Sequence, residues 1–279
     1  MSNILWLASY PKSGNTWVRA FLDNLMHDAA RPLAVDRPSG MFAQGESAIG
    51  WYRIADPRPP AQWKPADIAR LRPRVHKMIA DSAEGTVFCK THNALTTING
   101  HPTVNMAVSA GAIYIVRNPL DIVLSFADFQ ACSVDTAIAI MGTDGFSTPT
   151  NDRNVSEHMA SWSQHVASWT GQANKGVHVV RYEDLLEAPV KTFTGIVTFL
   201  GQRFDRKRIE RAIEHASFRS LRKQEEEHGF SEKPAHQKAF FRKGTAGQWR
   251  QELTAQQAAR VIADHREQMA RFGYLPEEA

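Results

Sequence analysis

The chain is poor in cysteine: Cys89 and Cys132 are its two thiols in 279 residues. Two thiols cannot build a disulfide framework or a four-ligand structural zinc site. Their scarcity points to a reducing compartment, so a cytoplasmic location is expected. Long apolar runs are also missing. No stretch approaches the roughly 18 consecutive apolar residues of a membrane span, so no integral membrane segment is expected. The opening residues 1–7, Met-Ser-Asn-Ile-Leu-Trp-Leu, carry no basic segment ahead of a short apolar run and do not read as a secretion signal. Neither sign of charge dominates. The 33 Lys and Arg face 29 Asp and Glu, a net +4, which suits small anionic ligands and does not call for nucleic acid. There is no fixed-period repeat and no low-complexity block. At 43% apolar and 22% charged the composition is that of an ordinary globular chain. One domain spanning 1–279 can bury roughly three quarters of its unfolded surface without staples.

Short apolar runs alternate with helical patterns. Ile4–Ala8 is the first run, followed by a Ser/Tyr/Pro/Lys/Ser/Gly turn and then a helix with Trp17, Phe21, Leu22 and Leu25 on one face. Residues 86–89, 112–116 and 177–180 are three more buried strands. The third strand meets Asn118, a good N-cap, with Pro119 at the first helical position. The fourth precedes a helical stretch over 190–200. Continuous apolar strands separated by helices predict an α/β fold with a central parallel sheet flanked by helices. The stretch 29–65, dense in Pro, Gly and Arg, reads as loop. Val261, Ile262, Met269 and Phe272 bury one face of a final helix. In such sheets ligands bind beyond the carboxyl ends of the strands, which directs attention to 9–17, 90–92, 117–125 and 181–184.

The first of these segments, Ser9-Tyr10-Pro11-Lys12-Ser13-Gly14-Asn15-Thr16-Trp17, links a strand to a helix N-terminus. Free backbone N–H groups and the helix dipole favour an anion there. Lys12 adds a full charge, Ser13 and Thr16 add hydroxyls, and Gly14 allows close approach. It is not a GxxxxGK[ST] loop, because the Lys precedes the single Gly. Arg117 and Ser125 could clamp one phosphate, although taken alone a surface ion pair and a helical serine fit as well. Phe241-Arg242-Lys243-Gly244-Thr245-Ala246-Gly247 reads by itself as a solvated basic loop. In Lys90-Thr91-His92, a His at a strand's carboxyl end is well placed as a general base, although a lone His is more often structural.

Together these segments resemble the sulfotransferases that use 3′-phosphoadenosine 5′-phosphosulfate (PAPS). Tyr10 to Trp17 is similar to that family's YPKSGTTW loop. Arg117-Asn118-Pro119-Leu120-Asp121 with Ser125 resembles its 3′-phosphate motif, spacing included. Phe241 to Gly247 resembles its RKGxxG loop, and Lys90-Thr91-His92 its KTH segment. Arg181-Tyr182-Glu183-Asp184 matches its YED segment, and Ala216-Ser217-Phe218 its TSF segment with Ala for Thr. The motifs run in family order from residue 9 to about 250. The resemblance implies a P-loop-like fold, PAPS as co-substrate, no metal, and a small-molecule acceptor. It implies that Lys12, Ser13, Gly14, Asn15, Thr16 and Trp17 hold the 5′-phosphosulfate, with Lys12 on the bridging oxygen. Arg117, Ser125, Arg242, Lys243 and Gly244 would hold the 3′-phosphate, Tyr182 and Phe218 would border the adenine together with Trp17, and His92 would be the catalytic base.

Some positions depart from the pattern. Asn15 stands for the usual Thr, Asn93-Ala94 follow His92 in place of Leu-Pro, and Gln248 and Arg250 replace an Asp and a Lys. Thr254 is present, but Ala255 and Ala259 break the family's dimer motif, which leaves the oligomeric state open. The shared Ala-Ser-Tyr-Pro-Lys opening, with the Ser-Trp and Val-Arg-Tyr-Glu-Asp-Leu stretches, is similar to bacterial enzymes that modify small molecules, including glycopeptides. The rival readings are an ATP- or GTP-dependent phosphotransferase and a non-catalytic nucleotide-binding protein. Acceptor-lining candidates are loops 40–55 (Met41, Phe42, Trp51, Tyr52), 126–150 (Phe126, Phe129, Phe146) and 221–240. Glu225-Glu226-Glu227-His228 reads as a solvated helix end or mobile lid, since consecutive helical positions do not face one another. His158, Trp162, His165 and Trp169 read as a core stripe on a helix.

Overall fold

A computed structural model describes residues 2–42, 44–172 and 174–276. Ala43, within the 40–55 acceptor loop, and Met1 of the opening segment lie outside the described residues. The strands are β1 (Asn3–Ser9), β2 (Gln44–Gly45), β3 (Thr86–Thr91), β4 (Thr97–Ile98), β5 (His101–Pro102), β6 (Ser109–Val116) and β7 (Val177–Arg181). The first helices are α1 (Asn15–His27), α2 (Ile49–Ala55), α3 (Pro65–Asp81), α4 (Pro119–Gln130), α5 (Val134–Gly142) and α6 (Trp162–Thr170). They are followed by α7 (Tyr182–Glu187), α8 (Pro189–Phe199), α9 (Arg206–His215), α10 (Phe218–His228), α11 (Trp249–Glu252) and α12 (Ala255–Arg271).

Five strands form one parallel sheet in the order β2-β3-β1-β6-β7, and β4 pairs with β5 in a small antiparallel hairpin. The register sets Trp6 beside Cys89 and Ala112, and Tyr114 beside Val179. Because side chains alternate along a strand, the apolar runs serve two cores. Ile4, Trp6, Ala8, Val87, Cys89, Ala112, Tyr114 and Val116 face a cluster fed by α3, α4, α5, α6 and α12. Leu5, Leu7, Phe88, Ile113, Ile115 and Val180 face the other, with α1, α8 and α9. This is the expected central parallel sheet covered by helices on both faces. No single described helix is long and apolar enough to cross a membrane.

Local signals account for several boundaries. The Asn118 side chain accepts from Leu120 N at 3.0 Å with Pro119 opening α4. Thr254 and Gln257 form a reciprocal capping box on α12. The stretch 29–65 is not all loop. Its prolines leave 44–55 free, and there Ile49, Tyr52 and Ala55 recur every three residues and bury one face of α2. The core stripe forms on α6 with Trp162, His165, Val166 and Trp169 buried, while His158 precedes the helix.

A buried carboxylate ties this edge of the sheet together. Glu46, fully buried after β2, meets Arg72 Nε at 3.3 Å and His76 Nε2 at 3.4 Å from α3. Thr91 Oγ1 donates to it at 3.4 Å, and the Asn93 amide also donates to it. Removing one partner of a buried ion pair strands the other charge. Glu46→Ala should therefore cost about 3–5 kcal/mol. Urea unfolding measures this, and a midpoint equal to wild type would show that the network contributes little.

Candidate active site

The β1–α1 turn is shaped by two residues with positive φ. Lys12 lies at 68° and Gly14 at 102°. A left-handed lysine is uncommon and marks a backbone held by its surroundings. Gly14 is required sterically as well, because a Cβ there would stand 2.8 Å from the Tyr182 ring. Gly14 O accepts from Trp17 N and Val18 N at 3.0 and 3.2 Å and starts α1. Asn15 does not act as a spare Thr. It is buried, and its amide donates to Leu7 O at 2.8 Å and to Ser9 Oγ at 3.3 Å, locking the turn to the strand it leaves.

Arg117 leaves the end of β6 and reaches this turn. Its Nη1 donates to Lys12 O at 2.9 Å and its guanidinium lies 4.3 Å over the Tyr182 ring. Its Nη2 extends toward Thr245 O at 3.4 Å, in the loop that carries Arg242, Lys243 and Gly244. Two buried carboxylates hold that loop at its ends. Glu225 accepts from Phe240 N at 2.6 Å and Phe241 N at 2.9 Å. Asp121 accepts from Gly247 N at 2.6 Å and Trp249 N at 3.1 Å. Gly244, at φ 66°, has no room for a Cβ beside the Phe218 ring. Lys243 is held by Glu252.

His92 follows β3 directly. Its Nδ1 stands 2.7 Å from Ser9 O. A carbonyl oxygen can only accept, so Nδ1 carries the proton and Nε2 keeps its lone pair. Burial, reinforced by the nearby Lys90 charge, pushes the imidazole down to about 4, which keeps it neutral and ready to accept a proton near pH 7. His165 supports it from α6: Nε2 meets His92 O at 3.2 Å while Nδ1 meets the Tyr114 hydroxyl at 2.9 Å. Lys90 is matched by Glu232 at 3.4 Å, which Arg19 also binds. Burial opposes ionisation of Glu232, but Lys90 and Arg19 outweigh it and hold the carboxyl at about 2. Lys12 has no carboxylate within ion-pair distance among the described residues, although Asp128 and Glu232 act on it from further off. Its Nζ lies 3.9 Å over Phe240 and 4.5 Å over Phe129. Burial, with the Arg117 charge, pulls it down to about 7.

One cleft of about 1360 Å³ is lined by Lys12, Gly14, Asn15, Thr16, Trp17 and His92, and also by Arg117, Ser125, Tyr182, Phe218, Arg242, Lys243 and Gly244. Ser13 does not line it. Ser13 is buried in the turn, and its Oγ has no hydrogen-bond partner among the described residues. Trp17 Nε1 and Arg117 Nε are likewise buried without partners. Phe129 and Phe146 line the cleft, whereas Phe42, Tyr52 and Phe126 are core residues and Met41 and Trp51 pack against the cores. Loop 40–55 contributes Gly45, Ser47 and Ala48 instead. Sequence reasoning missed Glu225, Asp121 and Glu232. Asp121 carried a signal, its place in the RNPxD-like stretch. Glu225 sits in the segment read as a solvated helix end, and its three followers are exposed as that reading expects.

The chain matches the family model described as Sulfotransferase domain over residues 3–273. Sulfotransferase 1A1 of Canis lupus familiaris is 25% identical over 280 residues, covering 96% of this chain and 84% of that protein. Sulfotransferase 1C2 of Homo sapiens is 23% identical over 282 residues, covering 95% and 82%. Among solved structures, mouse sulfotransferase SULT7A1 complexed with PAP superposes with a TM-score of 0.62 at 19% identity, covering 96% of this chain and 84% of that one. Retinol dehydratase in complex with androsterone and inactive cofactor PAP gives 0.61 at 16% identity, covering 95% and 80%. The chain belongs to the sulfotransferase domain family and is a PAPS-dependent sulfotransferase.

His92 also shapes stability. Its pKa is lowered on folding from the ordinary 6.5 to about 4. The unfolded chain therefore takes the proton first as pH falls. The stability that neutral His92 allows is full above about pH 6.5 and is lost as pH drops toward 4. Replacing it with Gln should flatten part of that decline, by up to about 3 kcal/mol at pH 4. Denaturant midpoints from pH 7 to 4 measure this, and parallel curves for the two proteins would contradict it.

Proposed function

We propose that this single-domain enzyme transfers a sulfonate group from PAPS to a hydroxyl or amine of a small-molecule acceptor in the cytoplasm, with His92 as general base. The observation that carries this reading is the meeting, in one cleft, of a neutral imidazole with Lys12, Arg117 and Arg242, which have no ion-pair partner among the described residues. The unpartnered Trp17 Nε1 and Arg117 Nε, on residues that line the cleft, fit a bound anionic nucleotide. PAPS supplies the electrophilic sulfonate: the acceptor oxygen or nitrogen bonds to sulfur as the S–O bond to phosphate breaks, leaving 3′,5′-adenosine bisphosphate (PAP).

The residues divide the work. His92 Nε2 accepts the proton that the acceptor loses on attack. Lys12 meets the negative charge that grows on the leaving phosphate, and its buried setting makes that contact stronger than it would be in water. The N-terminus of α1, with Ser13, Asn15 and Thr16, holds the 5′ end. Arg117, Ser125, Arg242, Lys243 and Gly244 hold the 3′-phosphate. Trp17, Tyr182 and Phe218 border the base.

His92→Ala should lower kcat about 10²- to 10⁴-fold while PAP still binds. Lys12→Ala should lower kcat by more than it weakens PAP binding, since its charge matters most where charge develops. Steady-state kinetics with calorimetry separate the two effects. Near-normal turnover by His92→Ala across several acceptors would remove it from the mechanism.

A second test isolates the 3′-phosphate. Arg117→Ala and Arg242→Ala should each weaken PAP binding roughly ten- to a hundredfold, the usual loss of a charge-assisted hydrogen bond. Adenosine 5′-monophosphate, which has nothing at that position, should bind Arg242→Ala and wild type alike, whereas Arg117→Ala, which also loses the hydrogen bond to Lys12 O, should lose more for PAP than for the monophosphate. Equal loss of both ligands would contradict the assignment of the clamp.

A further inference from the structure

Glu46 and Glu232 act on His92 from nearby, and Glu157 lines the same cleft. Glu46 is answered by Arg72 and Glu232 by Lys90 and Arg19. Glu157 differs. It lines the cleft with His92 and Lys90, yet no basic side chain among the described residues lies within ion-pair distance. Its Oε1 is shielded from solvent and has no hydrogen-bond partner among the described residues. A carboxylate oxygen left dry and unpaired is costly, and its persistence calls for a partner from outside the chain.

The position of Glu157 is fixed relative to the base. The next residue, His158, donates its N–H to Asn93 Oδ1 at 2.6 Å, and its carbonyl accepts from Ala94 N at 2.8 Å. The backbone carrying Glu157 thus runs along the segment that follows His92. On the other side, Glu157 O accepts from Thr148 N at 2.9 Å, which ties it to the segment bearing Phe146. Phe129, Ile140, Phe146 and Met159 supply an apolar wall to the same cleft. An uncompensated carboxylate, apolar side chains and a proton acceptor therefore line one cleft.

We infer that Glu157 is the acceptor-binding carboxylate and that the preferred acceptor is a hydroxyl compound with an apolar body and an ammonium group, the ammonium pairing with Glu157 while the hydroxyl reaches His92. The inference rests on the sulfotransferase reading and adds the chemical class of its acceptor. Burial, with the nearby Glu46 charge, pushes Glu157 up to about 7, against the opposing pull of Lys90, a Ser47 hydrogen bond and Arg72. Near neutrality the group is poised, so an arriving ammonium tips it to the ionised form. A neutral acceptor leaves the carboxyl without that gain. Selectivity of this kind comes from the buried polar group that the wrong ligand leaves unpaired.

The experiment compares tyramine with 4-ethylphenol and 6-amino-1-hexanol with 1-hexanol. Within each pair the hydroxyl and the body are shared and the ammonium is the difference. Wild type and Glu157→Gln, each saturated with PAP, are titrated with all four compounds by calorimetry, and turnover with PAPS is followed in parallel. Wild type should bind the amine of at least one pair about 10- to 100-fold more tightly than its neutral partner. Glu157→Gln should lose that preference through KM, with kcat within about twofold, and bind PAP and the neutral compounds as before. No amine preference in wild type, or a preference that survives in Glu157→Gln, overturns the assignment. Failure of wild type to bind PAP is a different result, because it overturns the sulfotransferase reading itself and the assignment with it.

Discussion

Gathering cations at the carboxyl end of a parallel sheet is the constraint on which the rest of this molecule depends. Lys12, Arg117, Arg242 and Lys243 repel one another, most strongly for Lys12 and Arg117, which are largely buried. The protein manages this without neutralising all of them. Arg117 is held by the Lys12 and Thr245 carbonyls and by the Tyr182 ring face, which are partial charges only. Lys12 rests over two aromatic rings and keeps its charge only weakly. Glu252 pairs with Lys243, while Asp121 and Glu225 are occupied with backbone N–H groups of the 240–249 loop. Net positive charge therefore remains for an anion to meet.

The other half of the cleft follows the opposite logic. Lys90 and Arg19 converge on Glu232 and Arg72 on Glu46, while Arg153 donates to Ser231 O. His92 stays neutral because it is buried and faces the Lys90 charge, and its lone pair is on Nε2 because the Nδ1–H donates to Ser9 O. Burial and the neighbouring cation act in the same direction. Glu157 lines this side of the cleft without an ion-pair partner among the described residues.

Rigidity is distributed in the same pattern. The β1–α1 turn is fixed by Asn15 to Leu7 and Ser9, by the Gly14–Tyr182 contact and by Arg117. The 240–249 loop has little regular structure of its own beyond the short helix α11, and its place is set by the two carboxylates at its ends and by Phe218 against Gly244. Its position is borrowed from α4 and α10.

The sequence alone determined whatever depends on neighbours along the chain. The apolar runs defined the sheet strands β1, β3, β6 and β7, and their period-two alternation supplied two cores at once. Asn118-Pro119 opened α4, and the Lys12–Thr16 turn after a strand announced an anion site. The tertiary structure decided what depends on distant partners. Glu225 looks like its solvated neighbours Glu226 and Glu227 until the 240–241 backbone is placed over it. Phe42, Tyr52 and Phe126 look like pocket walls until the cores claim them, and the helix within 49–55 appears only once Ile49, Tyr52 and Ala55 have a core to face. Nothing local distinguishes Glu157, without a cation, from Glu232, which has two. Helix period and strand alternation are written residue by residue, but burial and charge matching are properties of segments that meet only when the chain has folded.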